Sequence, residues 1–295
     1  MTARRVFLKW LGATTMLPAA SRAALVDSGR GHVRVEDERI GLHFDDAMRC
    51  RIVGKSGLRL QALTRFDASG LAVKDRRIER FTLVSAEPHA GATPFGAGQS
   101  LRLTGRSSDG IVKQMTITLL DAFPGTALLD VSYSNQGKAP LEVQGLWAVS
   151  HRLLASPRHG GGWWTYSGST HRDRRDWVQP VVRGFDQRNF MGMDASDYGG
   201  GTPVSDVWRR DVGLAVGHLD KLPQLVSLPV RAAGDEVDVG LVDDTSRTLA
   251  PGQTVRLPLS FVTVHTGDYF APLDRYRQLM TLQGIHAPKP PASAY

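Results

Sequence analysis

A single cysteine, Cys50, stands in a chain of 295 residues, so no intrachain disulfide can form. A lone thiol is equally well a small apolar side chain. No run of about 18 apolar residues occurs, which leaves no candidate for a membrane-spanning helix. The nine histidines include no His-Glu-x-x-His pair, and His159 and His171 stand too far apart from other ligands to argue for a metal. The triglycines at 160–162 and 199–201 are followed by no lysine and open no helix, so neither makes a phosphate-binding loop. Ser167 and Ser169, near His171, lack the Gly-x-Ser-x-Gly frame of a hydrolase elbow. No metal and no cofactor is expected.

What is present begins with MTARRVFLKWLGATTMLPAASRA. Arg4, Arg5 and Lys9 precede an apolar stretch through Leu11 to Ala20, and small Ser21 and Ala23 occupy the positions before a cleavage point. The paired arginines followed by Val6, Phe7, Leu8 and Lys9 resemble a bacterial twin-arginine export signal. Residues 1–23 are therefore expected to be removed and the remainder to reach the periplasm or the outside. That segment holds four basic residues and no acid, so its loss lowers the net charge from +7 to +3. A surplus of three charges, with no long basic block, excludes nucleic acid as an expected partner.

From His32 onward, segments such as HVRVEDERIGLHF, SLRLTGR, IVKQMTITLLDAF, TALLDVSYSNQG, VGLAVGHLD and TVRLPLSFVTVHTG place apolar residues at period two. Turn residues at Asn135-Gln136-Gly137, Ala232-Ala233-Gly234-Asp235 and Pro251-Gly252 punctuate them. About eleven or more antiparallel strands predict an all-β fold, a large two-sheet supersandwich over residues 24–285. Near the end, Phe270, Leu273, Tyr276, Leu279 and Met280 repeat at helical spacing behind Asp268, which predicts one C-terminal amphipathic helix capped by that aspartate. HAPKPPASAY, with Pro288, Pro290 and Pro291, reads as an extended linker-like tail over 286–295.

The stretch 156–210 breaks the rhythm. It is too long for an ordinary connection, so it is either a functional loop system or a disordered insert. It carries four of the six tryptophans, and disordered segments are poor in aromatics, which favours an ordered surface. At its end lies YGGGTPVSDVW, where Asp206 and Trp208 share a face if the backbone is extended. An indole beside a carboxylate suits a sugar, which offers one apolar face and an edge of hydroxyl donors. Trp163, Trp164, Tyr166, Trp177 and Tyr198 are further stacking platforms. The same residues equally suit a structural role, with Trp208 in the core and Asp206 capping the turn. Asp194, Asp197 and Asp206 could form a carboxylate pair, but nothing fixes the spacing of roughly 5 to 9.5 Å that glycoside hydrolysis requires. The Arg172–Asp176 run reads as a self-neutralising exposed face.

GGGTPVSDVWRRDVGLAVGHLDKLPQLVSLPV, with the preceding WWTYSGSTHRDRRDWVQP, resembles the N-terminal β-supersandwich domain of family 36 α-galactosidases, the melibiases. The resemblance implies a sandwich whose loops shape a galactoside pocket, with Asp206 and Trp208 at its rim and the tryptophan loop beside them. It also implies a following (β/α)₈ barrel that carries the nucleophile and acid/base aspartates. This chain has no Lys-x-Asp nucleophile motif and ends where that barrel would begin. The expected role is thus a carbohydrate-binding or barrel-supporting module, with no catalytic residue of its own. Two alternatives are a complete sugar-active enzyme with acids in the sandwich, glycosidase or mutarotase-like, and a truncated product without function.

Overall fold

The strand Thr126–Asn135 shows how the fold is specified. Ala127, Leu129, Val131 and Tyr133 alternate with neighbours facing the other way, and all four enter one large core. The computed structural model describes residues 32–56, 59–74, 76–89, 93–154, 162–167, 177–191, 201–222 and 224–286. Among them, alternation of this kind builds antiparallel sheets of ten, nine and four strands.

The ten-stranded sheet runs from Val178–Pro180 through Trp164–Tyr166, Val204–Trp208, Gly213–His218 and Ser260–His265 to Thr126–Asn135. It then continues through Ile111–Leu120 and Gly98–Arg106 to Thr82–His89. The nine-stranded sheet is centred on Leu141–Leu153, flanked by Glu236–Asp243 and Gly70–Val73. The two bury one continuous cluster between them, in which Ile117, Leu129, Val207 and Leu214 from the first meet Leu146, Val149, Val239 and Leu241 from the second. The N-terminal strands Val33–Glu36, Ile40–Phe44, Cys50–Ser56 and Arg59–Ala62 form the small third sheet, joined to the nine-stranded one through a bridge between Thr64 and Leu153. The all-β, antiparallel fold is therefore as the sequence predicts, with this extra sheet beside the two large ones.

The outer face of the ten-stranded sheet is covered by one helix, Phe270–Leu282. Leu279 and Met280 pack there against Phe261, Leu128, Val204 and Ala215, the face opposite to the inter-sheet core. Asp268, the predicted cap, lies one residue before the observed capping position. Tyr269 is the capping residue and makes no side-chain cap bond, while the Asp268 carboxylate accepts from the Phe270 amide at 3.1 Å. No helix among the described residues is long and apolar enough to cross a membrane.

Among the described residues of 156–210, several short strands replace the expected loop. Trp164–Tyr166 and Val178–Pro180 extend one edge of the ten-stranded sheet, and Asp186–Gln187 pairs at the edge of the nine-stranded one. Strands of two or three residues are too short to show a period, which is why the sequence pattern resolves fewer strands than the structure contains.

Candidate functional site

Two rows of side chains cross four strands of the ten-stranded sheet near its short edge. Directly opposed residues point to the same face, so the register places Trp164, Trp208, Gly213 and His265 in one row. Tyr166, Asp206, Ala215 and Thr263 form the next row. Both rows lie on the outer face, where Ala215 and Val204 also meet the helix. Trp163, one residue before Trp164, points the other way by the period of two. It is buried in the inter-sheet core with the Arg209 guanidinium over its ring at 4.4 Å, so in this structure it presents no stacking face to solvent.

Asp206 is completely buried. Its Oδ1 lies 2.9 Å from His265 Nε2, and the imidazole reaches it by crossing the space above Gly213. A Cβ on Gly213 would run into the His265 ring. Burial pushes the Asp206 carboxyl above its usual range, while the His265 hydrogen bond and charge pull it back. Neither Asp206 Oδ2 nor His265 Nδ1 makes a hydrogen bond among the described residues. The Asp206 carbonyl accepts from Thr165 Oγ1 at 2.8 Å, tying it to the neighbouring strand Trp164–Tyr166. Gly213→Ala is expected to displace His265 and cost about 1–3 kcal/mol, read as a lower melting temperature, with Gly252→Ala in an open turn as the comparison.

Aromatic rings cover this pair. Tyr269, at the start of the helix, stacks on Tyr166 at 5.1 Å with planes 3° apart, on Phe270 at 4.4 Å, and meets Trp208 at 5.7 Å. Trp177 tilts against Tyr166 at 6.0 Å. Trp164, Trp177 and Phe270 remain 45%, 48% and 64% exposed, gathering bare ring surface at this edge. Trp208 is half-buried among them.

The structure thus brings Asp206, Trp208, Trp164, Tyr166 and Trp177 together, sends Trp163 inward and puts the Asp206 carboxylate beneath the surface, where it holds His265. Tyr198, Asp194, Asp197, His159 and His171 lie outside the described residues. His265, Tyr269 and Gly213 are members that sequence reasoning did not name, because only the strand register brings them beside Asp206. Among the described residues no cluster of three or more His, Cys, Asp or Glu is placed to hold a metal.

The fold matches the N-terminal part of family 36 α-galactosidases. The α-galactosidase of Lactobacillus brevis superposes with a TM-score of 0.61 at 10% identity, over 88% of this chain and 42% of that one. The family 36 α-galactosidase AgaB of Geobacillus stearothermophilus gives 0.58 at 11% identity, over 82% and 41%. By sequence, an A type blood α-D-galactosamine galactosaminidase of Flavonifractor plautii is 24% identical over 233 residues, 77% of this chain and 21% of that protein. No family model matches the sequence. The chain spans well under half the length of the proteins it resembles.

Proposed function

We propose that this chain is the sandwich module of an exported, α-galactosidase-like glycoside hydrolase, and that its aromatic edge faces a galactoside at the seam with a catalytic barrel. The observation that carries this is the cluster of Trp164, Trp177, Trp208 and Tyr269 over the Asp206–His265 pair, in a fold matched to less than half of each α-galactosidase. Exposed indoles supply the apolar platform a pyranose needs. The buried pair holds the strand beneath them rigid, so Asp206 acts as a positioning residue and touches no substrate. Its complete burial leaves it no access to a glycosidic oxygen, which disfavours a self-sufficient glycosidase built on it.

Calorimetric titration of galactose into the protein, run beside an aryl α-galactoside turnover assay, tests this. Binding on the order of 1–10 mM without turnover is expected, and Trp208→Ala should weaken it about tenfold while leaving the melting temperature nearly unchanged. Turnover that vanishes in Asp206→Asn would sink the proposal. So would unaltered binding in Trp208→Ala with a large loss of stability, which would make the indole purely structural.

A further inference from the structure

A second site candidate lies on the opposite side of the molecule, on the outer face of the nine-stranded sheet. Its central strands pair Ser150 with Gly240 and Gly145 with Ala72. Small residues in the middle of a sheet face, with long ones at the margins, leave a trough of about 440 Å³, within the usual range of small-molecule sites. Trp147 stands in that trough between Gly70 and Val242, its indole nitrogen donating to the Ala68 carbonyl at 3.2 Å. The bond fixes the ring plane. The Arg77 guanidinium lies over the ring, 4.9 Å from its centre, leaving Trp147 8% exposed, while the Arg77 side chain is itself 70% exposed.

The charges around the trough decide what it can hold. Arg152 grips Asp238 with two bonds, at 2.6 and 3.1 Å. Arg188 pairs with Asp244 at 3.1 Å, Arg231 with Asp186 at 2.9 Å, and Arg77 with Glu79 at 3.5 Å. Every guanidinium named here has a carboxylate, so an anionic ligand would have to break a pair to gain one. Every carboxylate in these pairs is likewise engaged, which disfavours a cation. A purely apolar ligand would strip water from the pairs without replacing its hydrogen bonds. What remains is a neutral molecule with many hydroxyls and one apolar face. Planar Arg–carboxylate pairs then offer both donors and acceptors at fixed angles, and the Trp147 ring offers the stacking surface once Arg77 swings aside.

We propose that this trough binds a neutral oligosaccharide, stacked on Trp147 and held by the Arg152–Asp238 pair, independently of the aromatic edge on the other sheet. Calorimetric titration of the full chain with maltotriose and cellotriose, neither of which contains galactose, tests it, with trigalacturonate as the anionic comparator. At least one neutral sugar should bind with a dissociation constant on the order of 1 mM. Gly145→Leu and Ser150→Tyr fill the trough and should weaken that binding at least about tenfold, whereas Trp208→Ala on the far sheet should leave it unchanged. Arg77→Ala, at an exposed side chain, uncovers the indole and should tighten binding severalfold, a readout that survives even if the filling variants do not fold. Four results would overturn the assignment: no heat from any neutral sugar up to about 10 mM, trigalacturonate binding as tightly as the neutral sugars, an affinity indifferent to Arg77→Ala, or a loss in Trp208→Ala instead of the filling variants. The last would return the sugar to the aromatic edge.

Discussion

Replacing Lys113 with methionine is expected to stabilise the protein at neutral pH by about 2–4 kcal/mol, and to flatten the rise of stability at alkaline pH. Lys113 belongs to the row Ile111, Lys113, Met115, Ile117, whose other members all face the inter-sheet core, and it is completely buried there. Its ammonium donates to Ser69 Oγ at 2.6 Å and lies 5.3 Å from the centre of the Phe81 ring. Those contacts offset only part of the desolvation, and burial drives its pKa from 10.5 down to about 7. The folded state therefore binds fewer protons than the unfolded one between about pH 7 and 10.5, so stability rises with pH through that window. Below it the full penalty is present. A shift of this size corresponds to about 5 kcal/mol, from which the loss of the Ser69 hydrogen bonds must be deducted. Methionine nearly matches the chain length and carries no charge. Thermal melts of both proteins across pH 6–10 check this. A variant that melts lower at pH 7 and keeps the alkaline rise would show that the ammonium contributes more than it costs.

Lys113 also shows how far the fold was legible in the sequence. The period-two pattern of IVKQMTITLL identifies the strand, and the lysine stands on its apolar side in plain view. A charged residue there breaks the pattern without abolishing it, because four of the five core-facing positions remain apolar. The same alternation predicts the strands around Thr126–Asn135 and Ser260–His265, and the spacing of Leu273, Tyr276, Leu279 and Met280 predicts the helix. What periodicity could not supply is register. Asp206 meets His265 only because Val204–Trp208, Gly213–His218 and Ser260–His265 pair in one particular alignment, across 59 residues of chain. Trp163 and Trp164 were indistinguishable as adjacent tryptophans until the strand direction sent one to the core and the other to solvent. The trough beneath Trp147 was equally invisible, since Gly145, Ser150 and Gly240 become a floor only when laid side by side. Residues 1–23, expected to be an export signal, and the tail after residue 286 fall outside the described residues.

Acidification from about pH 6.5 to pH 4 is expected to remove about 5 kcal/mol of stability through two buried histidines. His151 and His218 are each nearly inaccessible, and burial lowers both to about pH 4 from the usual 6.5. Neither His151 ring nitrogen finds a hydrogen bond among the described residues. The folded state holds both rings neutral while the unfolded chain takes up two protons, so stability is lost as pH falls through this window. The two lie on strands of different sheets, and their contributions should add approximately. Asp206, with its raised pKa, works in the opposite sense and returns a little stability as pH falls. His151→Leu should therefore recover about 3 kcal/mol of the acid loss, seen as a smaller fall in melting temperature between pH 7 and 4. An unchanged slope would mean that the ring is already solvated. The second histidine bears directly on the aromatic edge. His218 ends the strand that begins at Gly213, over which His265 reaches Asp206. Acid unfolding of that strand would disperse the rings. If galactose binding fails on acidification, its midpoint should move with the melting transition in His151→Leu, whereas a midpoint that stays put would assign the loss to the pair beneath the indoles.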